Sequence, residues 1–194
     1  ARLSIPESYS VYFVSSATEG WEIIAQSLAT EGSLHVHNGA FGNKWFDYTQ
    51  KITNKAVPLV FDREHPIPIS KISPRPADVI CITQNETSNG TQIPSTHLAE
   101  LRNSFSKNLI AVDATSSMGG IELDFTQADL WFASVQKCFG LPAGLGILVC
   151  SPAAKLAFAE IHEQAHYNSL SFIHDMMEKW QTPYTPNVLG IYLV

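Results

Sequence analysis

Six short apolar runs, rich in β-branched and aromatic residues, recur along the chain and predict buried β-strands. They lie at residues 11–14, 57–61, 79–83, 109–112, 130–133 and 145–150. Helix-like stretches lie between them, at residues 19–28, 42–53, 96–105 and about 153–180, and the last is expected to break near Asn168. This alternation predicts an α/β fold in which a mainly parallel sheet is covered by helices on both faces, as three layers. Such a sheet binds its ligands beyond the carboxyl ends of its strands.

The chain shows no internal repeat and no low-complexity linker, so we expect residues 1–194 to form one domain. Four prolines predict one extended surface segment before the strand at 79–83, namely Pro66, Pro68, Pro74 and Pro76. The chain starts with Ala1 and ends on an apolar run, NVLGIYLV. We therefore expect it to be a piece of a longer protein.

Composition and charge exclude several classes of protein. Charged residues make up 15% of the chain and hydrophobic residues 45%, which excludes a disordered segment. The net charge of −6, without a basic run, gives no site for a nucleic-acid backbone. No apolar stretch approaches the roughly 18 residues of a membrane span. The three cysteines lie inside or beside apolar runs, which indicates buried thiols in a reducing compartment, so we expect a cytoplasmic protein.

Two chemically active side chains follow neighbouring strands of the predicted sheet. Asp113 comes directly after one buried run, and Gln136 and Lys137 come directly after the next. Either charge alone would be read as a turn cap or a surface lysine. A carboxylate and a lysine beside a Gly/Ser-rich phosphate cradle are together typical of pyridoxal phosphate (PLP) enzymes. In these enzymes the lysine forms a Schiff base and the carboxylate keeps the pyridine nitrogen protonated.

A candidate phosphate site follows the first strand. Ser16 and Glu19 have the spacing of a helix capping box, which predicts a helix start at this point. Free backbone N–H groups at a helix start can also hold a phosphate. The polar run 84–90 after the strand at 79–83 would, by itself, be read as a plain loop.

These motifs together resemble the large domain of the fold-type I, class V aminotransferases, from about Val11 to the last residue. Within that family the chain is most similar to phosphoserine aminotransferases, and less so to alanine– and serine–glyoxylate aminotransferases. The resemblance rests on three stretches: Asn85-Glu86-Thr87 with Gly90, Asp113 with Ser116 and Ser117, and Gln136-Lys137 followed by Pro142-Ala143-Gly144-Leu145. It implies that an N-terminal segment and a small C-terminal domain lie outside these 194 residues.

The resemblance also implies a role for each matching residue. Lys137 would bind the cofactor and carry the substrate proton, and Asp113 would pair with the pyridine nitrogen. The implied phosphate cradle consists of Ser16, Ala17, Thr18 and Gln136. Thr87 would contact the phenolic oxygen and Thr115 would lie under the ring. Phe41, or less well Trp45, would stack on the ring. Thr185 and Tyr184 match residues that a second subunit lends to the phosphate. That implies a homodimer with shared active sites, and nothing in the sequence requires the two ends of one chain to meet.

The implied reaction moves an amino group between an amino acid and a 2-oxo acid. Glutamate and 2-oxoglutarate would be one substrate pair, and the implied pathway is serine biosynthesis. One departure affects the substrate. Phosphoserine aminotransferases commonly carry an arginine where this chain has Thr18. An alanine– or serine–glyoxylate aminotransferase, or another class V enzyme such as a cysteine desulfurase or kynureninase, therefore stays open.

Two alternatives come from other classes of protein. Residues 162–166, HEQAH, match the H-E-x-x-H pattern of zinc proteases, which requires a helix, with His174 or Glu178 as a third ligand. Gln164 stands where such proteases usually carry an apolar residue, so we favour a solvated helix face and expect no metal. A noncatalytic binding module is the third class, and the joint presence of Lys137, Asp113 and Gln136 argues against it.

Overall fold

A computed structural model of the chain describes residues 3–73 and 78–194. Within these ranges the chain forms strands and helices in the alternating order that the sequence predicts. The strands are β1 Ser10–Val14, β2 Ser33–His37, β3 Ala56–Val60, β4 Val79–Thr83, β5 Asn85–Glu86, β6 Thr91–Gln92, β7 Leu109–Asp113, β8 Leu130–Ser134 and β9 Gly146–Cys150. The α-helices are α1 Ala17–Ser27, α2 Ala40–Ile52, α3 Ser95–Ser104, α4 Pro152–Ile161, α5 Leu170–Met177 and α6 Val188–Leu193.

Seven strands form the central sheet in the order β1-β9-β8-β7-β4-β2-β3. β9 is antiparallel to both of its neighbours, and the other six strands all run in one direction. β5 and β6 form a separate two-stranded hairpin directly after β4. The sheet is therefore mainly parallel, as predicted.

Both faces of the sheet are covered, which explains why most of its strands are largely apolar. One face packs against α1, α2, α4 and α5, around buried side chains such as Trp21, Trp45 and Phe158. The other face packs against α3 and the irregular segments near it, around Leu101 and Phe125. The predicted three-layer αβα architecture is confirmed.

The six predicted strands and the first three predicted helices are confirmed to within two residues of their expected bounds. The stretch 153–180 is two helices, α4 and α5, separated by residues 162–169, and Asn168 lies in that break. β2 is a strand that the sequence reasoning missed. The proline segment is not purely a surface segment, because Ile67, Ile69 and Ile72 within it are buried; Pro74 and Pro76 lie outside the described residues.

The helices of the described residues lack the combination of length and hydropathy that a bilayer span needs.

Candidate active site

The six parallel strands end at one edge of the sheet, and the antiparallel β9 begins at the same edge. The strand register pairs Thr83 with Asp113, and it pairs Gly146 with both Val14 and Ser134. The residues that follow β1, β4, β7 and β8 are therefore neighbours. This is the edge at which open α/β sheets bind their ligands.

Asp113 is the last residue of β7, and its side chain is buried, with 4% of the residue exposed. Its Oδ1 accepts a hydrogen bond from the Thr115 N–H at 2.9 Å, and its Oδ2 accepts one from Trp21 Nε1 at 3.2 Å. Burial raises the pKa of the Asp113 carboxyl, the hydrogen bonds from Thr115 and Trp21 oppose this rise, and the Glu86 carboxylate adds to it. Within the described residues no lysine, arginine or histidine forms an ion pair with Asp113. A cationic ring nitrogen would supply that missing charge.

The helix start predicted at Ser16 is confirmed. Ser16 is the N-cap of α1, in extended conformation, and its Oγ accepts a hydrogen bond from the Glu19 N–H at 3.1 Å. Glu19 reaches back to the Ser15 N–H, where a standard capping box would use the N-cap residue itself. The first turn of α1 is thus fixed at the edge of the sheet.

The first turn of α1 is also attached to β8. The Ala17 N–H donates to Ser134 Oγ at 2.7 Å, whereas the Thr18 N–H has no acceptor among the described residues. A Cβ at Gly146 would lie 2.8 Å from the backbone carbonyl carbon of Ser16, so β9 can approach α1 this closely only with glycine. Thr18 is exposed at the helix start, where its free N–H can bind an anion.

Lys137 lies in a tight turn directly after β8. The Gly140 N–H donates to the Lys137 carbonyl at 3.0 Å, and the Leu141 N–H donates to the Val135 carbonyl at 3.1 Å. Gln136 and Lys137 are both exposed. The turn therefore presents the amine and the amide from the same end of β8 that carries the bond to α1.

Phe41 and Trp45 were both candidates to stack on the cofactor ring, and the structure separates them. Phe41, in the first turn of α2, is 43% exposed, whereas Trp45 is 1% exposed and packs parallel to Trp21. Of the two, Phe41 is the side chain that a ligand can reach. Thr87 is exposed in the turn between β5 and β6.

The start of α2 is capped by a side chain from β5. Gly39 is the N-cap and offers no side-chain acceptor. Glu86, which is 2% exposed, accepts hydrogen bonds from the Phe41 N–H at 3.1 Å and the Gly42 N–H at 3.0 Å. Ser88 Oγ accepts from the Ala40 N–H at 2.8 Å. This helix start is therefore filled by a carboxylate of the chain itself, unlike that of α1.

Tyr184 and Thr185 lie beside the start of α1 of their own chain. The Tyr184 hydroxyl donates to Glu19 Oε1 at 3.2 Å, and Tyr167 approaches the same oxygen at 3.4 Å. Burial and the Glu19 carboxylate raise the pKa of Tyr184. Thr185 and Ser15 line one small cavity. Residues near the two ends of the chain thus meet within one subunit, a contact that nothing in the sequence required.

The zinc-protease pattern does not lie on a helix. α4 ends at Ile161, and His162 adopts a left-handed conformation with φ 49° that terminates it. The Glu163 carboxylate accepts hydrogen bonds from the backbone N–H groups of Ala165 and His166. The described residues contain no group of three or more His, Cys, Asp or Glu side chains placed to hold a metal ion. Both the zinc interpretation and the solvated helix face are therefore wrong for this segment.

The expectation of three buried thiols is also corrected. Cys81 and Cys150 are buried, and burial raises the pKa of each thiol. Cys138, next to Lys137, is exposed, and its Sγ contacts the Ser116 carbonyl at 3.4 Å.

Sequence reasoning assigned no role to three residues of this site: Trp21, Ser134 and Glu86. Ser134 and Glu86 lie at or next to strand ends, so the rule that found Asp113 could have found them. Trp21 lies inside a helix, where an aromatic residue is ordinarily read as core. Only the packing of α1 on the sheet reveals its bond to Asp113.

The fold and this arrangement of residues define a domain of the fold-type I, PLP-dependent aminotransferase kind. A phosphoserine aminotransferase structure from Cytophaga hutchinsonii superposes with a TM-score of 0.92 and is 33% identical, covering 98% of this chain and 54% of that one. An alanine–glyoxylate aminotransferase from a Nostoc species shares the fold, with a TM-score of 0.79 at 18% identity, covering 95% of this chain and 52% of that one. The family model for class-V aminotransferases matches residues 2–194, so the chain belongs to that family.

Curated relatives carry the same name as the first of these structures. The phosphoserine aminotransferase of Rhodococcus opacus is 33% identical over 98% of this chain and 52% of its own length. That of Corynebacterium glutamicum is 30% identical over 98% of this chain and 51% of its own length. The chain thus spans about half the length of the curated relatives it matches.

Proposed function

We propose that the full-length protein is a PLP-dependent aminotransferase and that residues 1–194 form its cofactor-binding large domain. The observation that carries this proposal is Asp113, a buried carboxylate without a cationic partner among the described residues, at the sheet edge that also presents Lys137. An Asp in this setting stabilises a protonated pyridine nitrogen. The lysine and the acid then lie at the ends of neighbouring strands, as the chemistry requires.

The residues around this edge fit the parts of the cofactor. When bound, PLP supplies the carbonyl that accepts the amino group and the ring that withdraws electrons from the substrate. The phosphate would lie at the start of α1, where the Thr18 N–H is free and the helix dipole favours an anion. The assigned phosphate contacts are Ser16, Ala17, Thr18 and Gln136, and the assigned ring contacts are Phe41, Thr87 and Thr115.

Two residues of the chain perform the proton chemistry in this proposal. The negative charge of Asp113 would favour the protonated pyridine nitrogen, and little water screens this attraction because the carboxyl is buried. Lys137 would hold the cofactor and, as a free amine, would carry the proton between the substrate Cα and the cofactor. Its exposed position in the turn after β8 lets the amine reach a substrate from the solvent side.

The cofactor assignment can be tested in the full-length protein. Borohydride reduction followed by peptide mass mapping should place PLP on Lys137, and Lys137→Ala should abolish both this adduct and the visible absorption band. Lys107→Ala is the matched control, because Lys107 is an exposed lysine near the opposite edge of the sheet, just before β7. A Lys137→Ala protein with an unchanged spectrum would exclude the assignment.

We infer a phosphoserine aminotransferase type of substrate, with glutamate and 2-oxoglutarate as the second pair, in serine biosynthesis. The relatives named phosphoserine aminotransferase match 98% of this chain, which supports the inference. Single-turnover reactions of the holoenzyme with phosphoserine, serine, alanine and glutamate test it. Fast turnover of phosphoserine and glutamate is expected; a preference for alanine or serine would assign the glyoxylate-type alternative, which Thr18 leaves open.

We further propose a cytoplasmic homodimer in which Thr185 and Tyr184 of one subunit serve the phosphate site of the other. The support for sharing is the resemblance of these two residues to the family pattern; within one chain both lie beside the start of α1. Mixed dimers of a Thr185→Ala subunit and a Lys137→Ala subunit would place both lesions in one site and leave the other intact. Recovery of up to half the activity per mixed dimer supports sharing, and no recovery assigns Thr185 to its own subunit.

A further inference from the structure

We propose that Trp21 is a positioning residue for Asp113, so that α1 fixes both the phosphate end and the pyridine end of the cofactor site. The inference rests on the proposed function for the cofactor itself. The contact between Trp21 and Asp113 is a property of the chain alone. It gives α1 a second role beyond its helix start.

The hydrogen bond from Trp21 fixes one oxygen of the carboxylate. Trp21 Nε1 lies 3.2 Å from Asp113 Oδ2, and the Thr115 N–H lies 2.9 Å from Oδ1. Each oxygen therefore has one donor, which determines the rotation of the carboxylate about its last bond. Because Trp21 is 5% exposed, no water competes readily for this contact.

The indole cannot easily turn away from Asp113. Its ring lies parallel to that of Trp45, with centroids 6.4 Å apart and an interplanar angle of 13°. The edge of Tyr48 packs against it at 5.8 Å and 69°. Aromatic contacts of this kind restrict the rotamer of a buried ring. The donor is thus held in place before any ligand binds.

Trp21 is linked to the phosphate cradle through one turn of helix. It lies four residues after Ala17, on the same side of α1. The Ala17 N–H is bonded to Ser134 Oγ, at the end of the strand that leads to Lys137. A rigid helical turn of about 5.4 Å therefore sets the separation between the anion site and the donor to Asp113.

The charge on Asp113 depends on this donor. Burial favours the protonated acid and raises its pKa, and Glu86, the charged group that faces it, acts in the same direction. The N–H groups of Trp21 and Thr115 favour the ionised form. Without the Trp21 donor, the Asp113 carboxyl would become protonated at a higher pH. It would then attract the protonated nitrogen of the cofactor less strongly.

The test is Trp21→Phe in the full-length protein, which keeps a ring in the pocket and removes the N–H. The matched control is Trp131→Phe, because Trp131 is also fully buried and donates its Nε1–H to the Phe125 carbonyl at 3.1 Å, on the other face of the sheet. Two readouts are compared. One is the infrared titration of the Asp113 carboxyl in cofactor-free protein, with Asp113→Asn to assign the band. The other is the dissociation constant of PLP.

We expect the midpoint of the carboxyl titration to rise by about one pH unit in Trp21→Phe, and PLP to bind about tenfold or more weakly, since a hydrogen bond to a charged group is lost. Trp131→Phe should change neither. Should Trp21→Phe fail to fold, benzothienylalanine at position 21 keeps the indole shape and replaces the N–H by sulfur. An unchanged carboxyl titration overturns the proposal. A wild-type protein that binds no PLP overturns the proposed function instead, while the titration still decides the role of Trp21.

Discussion

Glu86 belongs to the Asn85-Glu86-Thr87 motif, and in the structure it caps the start of α2. Its carboxylate accepts the Phe41 and Gly42 N–H groups at the start of α2, as well as the Ser88 hydroxyl at 2.6 Å. The fit is close, because a Cβ at Gly39 would lie 2.2 Å from Glu86 Cγ. We predict that Glu86→Ala destabilises α2 and displaces Phe41.

The size of the effect follows from the contacts that are lost. An N-cap contributes about 1 kcal/mol, and a hydrogen bond to a charged group contributes about 1.5–3 kcal/mol. Glu86→Ala leaves two helix N–H groups without their acceptor, so the free energy of unfolding should fall by about 3 kcal/mol. For a full-length protein about twice as long as this chain, this corresponds to a fall of about 3–6 °C in Tm. Glu86→Gln keeps an oxygen acceptor and should lose only about 1 kcal/mol.

Thermal unfolding of cofactor-free, full-length protein measures the effect, with Glu160→Ala as the control because that glutamate is exposed on α4. The dissociation constant of PLP provides a second measurement, since Phe41 lies in the destabilised turn. A Glu86→Ala protein that melts within about 1 °C of the wild type would show that the capping argument is incorrect.

Three further predictions follow from buried or exposed titratable groups. Burial lowers the pKa of His35 to about 3, so as pH falls the unfolded chain binds a proton at this histidine before the folded protein does. The free energy of unfolding should therefore fall by about 2 kcal/mol between pH 7 and pH 5. Urea titrations should show a smaller pH dependence in His35→Gln. Asp129→Ala should lower the free energy of unfolding in urea by about 3 kcal/mol, because the buried Asp129 accepts hydrogen bonds from the Ile110 N–H and from Arg102. A decrease of less than about 1 kcal/mol would contradict this. Iodoacetamide should label Cys138 alone among the three thiols of these residues, as read by peptide mass mapping.

The sheet could be predicted almost entirely, and the one missed strand has a physical explanation. The six predicted strands are nearly continuous apolar runs, as is typical of a sheet covered on both faces, although the edge strand β3 is partly exposed. β2 has the sequence SLHVH and is buried over all five residues. Its two histidines interrupt the apolar run, yet His35 and His37 are buried, and burial lowers the pKa of both, which favours the neutral rings. A histidine that titrates near pH 6.5 in solution therefore belongs to the core here, which a hydropathy pattern does not reveal.

The break expected near Asn168 in the stretch 153–180 is present, but the sequence did not show that it begins as early as His162. His162 ends α4 in a left-handed conformation, and Ser169 caps the next helix by accepting a hydrogen bond from the Phe172 N–H at 3.2 Å. The capping signal was present in the sequence at Ser169. A left-handed histidine has no comparable signal, because side chains other than glycine adopt this conformation only where the surroundings favour it.

The two groups of residues that the sequence suggested for chemistry also differ in how far they depend on local backbone conformation. Asp113 and Lys137 lie 24 positions apart in the sequence, yet the parallel order of β7 and β8 brings them to one edge whatever the details of the intervening loop. The zinc pattern depends instead on five consecutive residues being helical, and one left-handed residue removes that geometry. A constellation set by strand order tolerates local irregularity, whereas one set by helical spacing does not. Trp21 shows where the first kind of reasoning stops, since its bond to Asp113 depends on how α1 packs on the sheet. The expected rise in the midpoint of the Asp113 titration in Trp21→Phe would therefore test the packing of that helix as well as the electrostatics of the acid.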